Sequence, residues 1–147
     1  MDYKLLCAQL KALTGDVENP ISNLSNASAL LWQELGDINW AGFYKMEGGI
    51  LVLYPFQGKT ACTRIAVGKG VCGTAVAEDK TQLVPDVHRF PGHIACDCAS
   101  NSEIVVPIHV NGEIWGVLDI DSPSLNRFDA EDQKGLEAFV KILEEVL

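Results

Sequence analysis

The residues of this sequence best suited to chemistry are thiols and carboxylates. Four of the five cysteines lie between positions 62 and 98: Cys62, Cys72, Cys96 and Cys98. Thiol catalysis with disulfide turnover needs a nucleophile, a resolving thiol within reach, and an acid for the leaving group. The sequence can supply all three, because two carboxylates, Asp119 and Asp121, follow the cysteines.

The segment from Pro91 to Pro107 is built to hold a reactive thiol. Its first half is rich in Pro, Gly, Asn and Ser, which predicts a loop, and its second half is a β-branched run, which predicts a strand. The strand fixes the base of the loop, and the loop exposes its side chains. Cys96 and Cys98 lie in this polar loop, so inert packing explains them poorly.

Other interpretations compete for the cysteines. A metal site could use His88, His93, Cys96 and Cys98, but Cys-x-Cys is not the usual zinc spacing and no second pair follows. We therefore expect no metal. Inert packing suits Cys7, which lies among leucines at helical spacing. A redox sensor in a regulatory domain stays open as an alternative.

Cys72 opens a short predicted helix, 71–78. Thiols at helix N-termini tend to have a lowered pKa. This position therefore predicts a lowered pKa for Cys72.

Asp119 and Asp121 lie on one face of a predicted strand, because side chains alternate along a strand. On their own they would be explained by a charged pair at a solvated sheet edge. In a pocket, like charges held close raise one pKa, so that one carboxyl stays protonated and can donate.

Glu103 joins these two carboxylates only if a hairpin is irregular. A plain two-residue turn at Asn111-Gly112 places Glu103 across from Ile120, on the opposite face. Pro107 cannot donate to the ladder and is a candidate for a bulge. If Glu103 is functional, we therefore predict a register break between Glu103 and Val110; a regular ladder would remove Glu103 from the site.

Trp40, Gly42 and Tyr44 share one face of a predicted strand, 38–46. An aromatic ring, a gap and a second ring could form a slot for an apolar ligand group. Packing of both rings in the core is the alternative, and the pattern alone favours it.

The order of predicted elements indicates an α+β fold in a single domain, 1–147. Helices are predicted at 2–13, at 20–35 after an Asn19 cap, at 71–78, and after an Asp129 cap. Strands are predicted at 38–46, 50–56, 63–66, 81–85, 103–110 and 113–121. Helices from both chain ends should therefore pack on one face of an antiparallel sheet, leaving the other face or its rim for a ligand.

Charge and composition limit the partners. The net charge of 11 − 20 = −9 argues against nucleic acid and fits a zwitterionic or cationic ligand better than an anion. No apolar run approaches the roughly 20 residues of a membrane helix, and the N-terminus lacks a secretory pattern. An odd number of cysteines differs from a secreted disulfide framework, so we expect a cytoplasmic protein.

The sequence resembles the free methionine-(R)-sulfoxide reductases, which are catalytic members of the GAF domain family. The likeness covers nearly the whole chain and is densest in GKGVCGTA (68–75), VPDV (84–87), HIACD (93–97), SEIVVP (102–107) and GVLDIDS (116–122). The spacing of Cys62, Cys72 and Cys96 also matches, and GAF domains in general lack this cysteine set.

The resemblance implies that the substrate is free methionine sulfoxide, the R epimer at sulfur. Cys96 is then the nucleophile and becomes a sulfenic acid, which condenses with Cys62 or Cys72 to a disulfide that thioredoxin reduces. Cys62 is the favoured resolving thiol, and Cys72 has a secondary role. No cofactor is implied.

The resemblance also assigns the binding residues. Glu103, Asp119 and Asp121 correspond to an acidic cluster that engages the sulfoxide oxygen and the substrate ammonium. Trp40 and Tyr44 correspond to an aromatic wall around the methyl-sulfur end. A homodimer through the terminal helices is expected by the same analogy.

Two features leave room for other interpretations. Cys98 lies where a small polar residue is expected in relatives; replacement of a serine is favoured over an extra trapping thiol. A non-catalytic GAF module that senses a small molecule or redox state is the rival function. Such modules usually adjoin an output domain, and we expect none here, because the last predicted helix lies close to the end of the sequence.

Overall fold

The computed structural model describes residues 1–92 and 100–147. Its α-helices are α1 (Tyr3–Thr14), α2 (Pro20–Glu34), α3 (Gly70–Glu78) and α4 (Ala130–Glu144), and a 3-10 turn spans Val87–Arg89. Its strands are β1 (Trp40–Glu47), β2 (Ile50–Gly58), β3 (Arg64–Ala66), β4 (Gln82–Val84), β5 (Ser102–Val110) and β6 (Glu113–Ser122). The predicted elements are confirmed to within one or two residues at most of their ends.

The strands form one sheet in the order β3-β2-β1-β6-β5-β4, and neighbouring strands run antiparallel. The β5–β6 hairpin turns at Asn111 and Gly112, whose φ angles are 55° and 79°. Two positive φ angles are the mark of a tight hairpin turn that matches the twist of the strands. The sheet places β1, β6 and β5 side by side at its centre.

Helices from both chain ends cover one face of the sheet. Residues of α1, α2 and α4 bury a core with alternate residues of the central strands, such as Phe43, Ile104 and Ile120. This arrangement confirms the predicted α+β fold. The opposite face carries a second, smaller core, in which α3 packs against alternate strand residues such as Val105 and Val117.

Local capping explains where the long helices begin. Asn19 accepts hydrogen bonds from the backbone N–H groups of Ile21 and Ser22, and Asp129 forms a reciprocal capping box with Asp132. Both residues are at the N-cap positions predicted for them. A short polar side chain is favoured there because it accepts hydrogen bonds from N–H groups that have no partner within the first helical turn. In the described part of the chain, no helix is long and apolar enough to cross a bilayer.

Candidate functional site

The β5–β6 ladder contains the predicted register break. Next to the turn His109 pairs with Ile114, but from the next step onward Ile108 pairs with Gly116. Trp115 is therefore the extra residue of a β-bulge on β6. The break lies between Ile108 and His109, one residue beyond the candidate position Pro107.

The bulge turns three carboxylates to one face of the sheet. Glu103 pairs directly with Asp121, and Asp119 lies two residues before Asp121 on the same strand. All three carboxylates are buried. Without the extra residue Glu103 would face the opposite core, so one bulge assembles the acidic cluster.

Cys72 completes this cluster from the side of α3. It lies in the first turn of that helix, which packs on β5 and β6. The Cys72 Sγ and one carboxylate oxygen each from Glu103 and Asp119 lie within 4.8 Å of one another. A thiol and carboxyl groups from three separate elements thus share one buried space.

Burial and mutual repulsion determine where the protons of the cluster reside. Burial, followed by the charges of Asp119 and Asp121, raises the pKa of Glu103 well above its usual range. Burial also raises the pKa of Asp119, but hydrogen bonds with Glu103, Cys72 and Asp121 oppose that rise. Glu103 is therefore the carboxyl that holds a proton and can donate it, with Asp119 as its acceptor.

The expected low pKa of Cys72 is wrong. Burial, and then the nearby charges of Asp119, Glu103 and Asp121, raise the pKa of this thiol well above its usual value. Desolvation and three acidic neighbours outweigh the favourable end of a nine-residue helix. Cys72 is therefore a neutral thiol.

Asp119 also has an unsatisfied oxygen. Within residues 1–92 and 100–147, its Oδ1 is buried and has no hydrogen-bond partner. Because a buried acceptor without a donor is costly, this oxygen is a position for a donor or cation from a ligand.

Trp40 and Tyr44 lie on the same face, next to the acids. Trp40 pairs with Asp121 and Gly42 pairs with Asp119 across the β1–β6 ladder. The rings of Trp40 and Tyr44 are each about 2% exposed, and their centroids lie 5.9 Å apart. The predicted aromatic pair therefore borders the carboxylates.

Phe56 belongs to this aromatic group, and the sequence interpretation did not include it. It pairs with Gly42, and its ring stacks on Trp40 with centroids 5.1 Å apart. A Cβ atom on Gly42 would lie 2.2 Å from the Phe56 Cβ, so the gap between the two predicted rings is occupied. Register between β1 and β2 decides this neighbour, and no local pattern reveals it.

The polar tips of the two aromatic residues hold the segment that carries Cys62. The Tyr44 hydroxyl donates to the Cys62 carbonyl at 2.9 Å, and the Trp40 Nε1 donates to the Lys59 carbonyl at 3.1 Å. These bonds attach the loop after β2 to the aromatic face.

The cysteines differ in their bonding. Cys62 is disulfide-bonded, whereas Cys7 and Cys72 are free thiols. The predicted nucleophile Cys96, together with Cys98 and His93, lies outside the described residues. The metal site considered from His88, His93, Cys96 and Cys98 therefore falls largely outside them as well.

A family comparison identifies the chain. The GAF domain family matches residues 21–147. The chain belongs to the GAF domain family. Its six-stranded antiparallel sheet between three helices and α3 is the GAF fold.

Individual relatives of this GAF domain are close. It is 59% identical over 148 residues to Protein YtsP of Bacillus subtilis, covering 99% of this chain and 91% of that protein. It is 56% identical over 145 residues to the free methionine-R-sulfoxide reductase of Escherichia coli, covering 99% and 88%.

A solved structure agrees with these relatives. The reduced form of fRMsr from Staphylococcus aureus matches with a TM-score of 0.97 at 56% identity, covering 99% of this chain and 95% of that one. The same protein in complex with its substrate matches with a TM-score of 0.95. The resemblance inferred from the motifs is confirmed.

Proposed function

We propose that this GAF domain protein reduces free L-methionine-(R)-sulfoxide to methionine. The observation that carries the proposal is the pairing of Glu103 with Asp121 beside the Trp40 ring, in a chain 56% identical to a free methionine-R-sulfoxide reductase. This arrangement offers an acid, a negative pocket and an aromatic wall to one small zwitterion. The S. aureus structure with bound substrate supports the same assignment.

The substrate ammonium binds to the carboxyl groups of Asp119 and Asp121 in this proposal. The Asp119 Oδ1, which has no hydrogen-bond partner among the described residues, is an acceptor for one of its N–H donors. The protonated Glu103 donates to the sulfoxide oxygen. The apolar methyl-sulfur end lies against Trp40 and Tyr44, since aromatic faces suit a polarisable sulfur.

The chemical step uses Cys96 as the nucleophile. Its thiolate attacks the sulfoxide sulfur while the oxygen is protonated from the acidic cluster. The S–O bond of the substrate then breaks, and the protonated oxygen is transferred to Cys96, which becomes a sulfenic acid. Methionine leaves with its sulfur reduced by the two electrons that Cys96 loses. Proton donation to that oxygen is what makes the sulfur electrophilic enough to react.

Cys62 is the resolving thiol in this scheme. Its thiol attacks the sulfenic acid, which releases water and forms a disulfide that thioredoxin reduces. Two observations support Cys62 over Cys72: Cys62 is disulfide-bonded, and Cys72 is a buried thiol of raised pKa. Cys72 contributes to the acidic cluster through Asp119.

We also propose that the protein is a cytoplasmic homodimer. Thioredoxin recycling and the free thiols of Cys7 and Cys72 suit a reducing compartment. Leu5 of α1 and the preceding Met1 are exposed, and Met1 lines a groove between α1 and α4, which gives the dimer an apolar contact. Light scattering across a concentration series, with a Leu5→Glu variant, tests this state.

The activity is tested by thioredoxin-coupled oxidation of NADPH with the free R epimer. The S epimer and a peptide-bound sulfoxide are run in parallel, with Cys96→Ser as the test variant and Cys7→Ser as the control. Turnover of the free R epimer alone, lost in Cys96→Ser and kept in Cys7→Ser, is expected. No turnover of any sulfoxide, with thioredoxin or with dithiothreitol, favours the sensor alternative. Turnover that survives Cys96→Ser moves the nucleophile to another thiol.

A further inference from the structure

We propose that Cys72, Glu103 and Asp119 form a binding site for a thiophilic divalent cation of the Zn²⁺ and Cd²⁺ class. The proposal is an inhibitory or regulatory site, separate from any cofactor requirement of the reaction. It rests on where the fold places three ligand atoms and on one buried oxygen that has no partner among residues 1–92 and 100–147.

The three ligand atoms are close enough to share one ion. The Cys72 Sγ and the carboxylate oxygens of Glu103 and Asp119 lie within 4.8 Å of one another. A single point therefore lies within about 2.8 Å (4.8 Å/√3) of all three atoms. Zinc bonds are about 2.3 Å to sulfur and 2.0–2.2 Å to oxygen, so small side-chain rotations complete the coordination.

The ligands also come from a rigid frame. Glu103 and Asp119 lie on paired central strands, and Cys72 lies on the helix that packs against them. These side chains are only 4–8% exposed. A site on regular elements keeps its geometry before the ion arrives, which reduces the cost of binding.

A second, independent observation concerns the Asp119 carboxylate. The Asp119 Oδ1 is buried without a hydrogen-bond partner in the described residues. No salt bridge within those residues joins Glu103 or Asp119 to a Lys, Arg or His side chain. An ion bound there gives the oxygen a partner and neutralises the carboxylates.

The donor set selects the class of ion. A thiolate favours Zn²⁺ and Cd²⁺ over Mg²⁺ and Ca²⁺, which prefer six or more oxygen ligands. Binding releases the thiol proton of Cys72 and the carboxyl proton of Glu103 to solvent, and a fourth position is left for water or for Asp121. The site is therefore soft and four-coordinate.

Direct titration tests the site without any enzyme assay. The full-length reduced protein is titrated with Cd²⁺, and the sulfur-to-cadmium charge-transfer absorption is recorded. A variant that keeps Cys72 as its sole thiol (Cys7, Cys62, Cys96 and Cys98 all →Ser) is compared with the same variant carrying Cys72→Ser. One equivalent with a charge-transfer band is expected in the first and no band in the second. Glu103→Gln and Asp119→Asn should each weaken Cd²⁺ binding at least tenfold.

A second measurement covers the case in which the multiple variant does not fold. In the wild-type protein, Zn²⁺ should protect Cys72 from alkylation in denaturant-pulsed samples, while Cys7 on the opposite side of the sheet stays unprotected. Protection of Cys96 or Cys98 without Cys72 overturns the proposal and moves the metal to those thiols. A sulfur-to-cadmium charge-transfer band that is unchanged after Cys72→Ser also overturns the proposal. Mg²⁺ should not displace Zn²⁺ or Cd²⁺ from the site.

A competition experiment links the site to the reaction and rests on the proposed function. Zn²⁺ should raise the KM for the free R epimer without changing kcat, because the ion and the substrate need the same carboxylates. If the metal-free protein does not turn over the free R epimer, the proposed function is wrong, but the Cd²⁺ titration still tests the metal site. Inhibition that does not diminish with added substrate contradicts the shared site.

Discussion

Glu103 lies directly opposite Asp121 in the β5–β6 ladder, on the sheet face that carries Trp40 and Asp119. The pairing exists because Trp115 inserts one extra residue into β6, since a plain hairpin would place Ile120 opposite Glu103. Two like-charged groups in direct pairing and out of water raise each other's cost of ionisation. This pairing with Asp121 helps to keep Glu103 protonated, so that Glu103 can act as a proton donor.

Replacing Glu103 by glutamine tests that role. Glu103→Gln keeps the shape of the protonated side chain but has no acidic proton, so kcat should fall about 10²–10⁴-fold, the usual contribution of general acid catalysis. The thioredoxin-coupled assay measures it. Glu113→Gln, at the exposed end of the hairpin, is the matched control and should keep full activity. A loss of less than tenfold in Glu103→Gln removes the residue from the proton-donor role.

The same carboxyl makes stability depend on pH. Its pKa is raised in the folded protein, so the folded state holds a proton that the unfolded chain has lost. The free energy of unfolding should therefore be highest below the ordinary glutamate pKa and fall as pH rises through the folded pKa. Urea unfolding from acidic to mildly alkaline pH measures this fall. The slope should be smaller in Glu103→Gln, and an unchanged slope assigns the titration elsewhere.

Gly42 should tolerate no side chain. A Cβ atom there would lie 2.2 Å from the Phe56 Cβ and 2.9 Å from the Trp40 ring. Gly42→Ala should therefore cost about 1–3 kcal/mol of unfolding free energy by overpacking and displace the Trp40 ring. Gly36→Ala is the control, since a Cβ atom there meets nothing within 4 Å; it should change stability by less than about 0.5 kcal/mol. Urea unfolding and tryptophan fluorescence give both readouts, and equal effects in the two variants contradict the packing argument.

Tyr44 should control the step that uses Cys62. Tyr44→Phe removes the hydroxyl that donates to the Cys62 carbonyl, which should cost about 0.5–1.5 kcal/mol of stability. Release of the first equivalent of methionine should stay near the wild-type rate, while disulfide formation slows several-fold. Tyr54→Phe is the control, because its exposed hydroxyl donates to Glu47. Quenched-flow thiol counting separates the steps; slowing of both in Tyr44→Phe points to substrate binding instead.

Trapping the oxidised thiol separates Cys62 from Cys72. After one turnover, Cys62→Ser should accumulate a sulfenic acid that dimedone labels, whereas Cys72→Ser should still form a disulfide. Cys72 is buried and has a raised pKa, and so supplies little thiolate for the resolving attack. Peptide mass spectrometry identifies the labelled residue and the disulfide pair. A disulfide that still forms in Cys62→Ser assigns the resolving role to Cys98 or Cys72.

Much of the fold is encoded locally and was predicted from the sequence. Asn19 and Asp129 cap their helices as predicted, and Asn111-Gly112 forms the hairpin turn. These features depend on residues within four positions of one another, so the chain pattern contains their physical cause. The cysteine set and the dense motifs also led to the correct family.

Tertiary structure decided the features that depend on distant neighbours. The sequence showed that Glu103 can join Asp119 and Asp121 only across a register break. It did not show that the break lies at Trp115, because the pairing of the strands and the packing of both cores together decide that position. Cys72 has a raised pKa, because desolvation and acids from two strands outweigh the local helix end. Phe56 fills the gap at Gly42 only through cross-strand pairing. The sequence by itself determined the elements, the thiols and the acids; burial and charge, which arise when distant segments meet, decided which of these groups holds a proton.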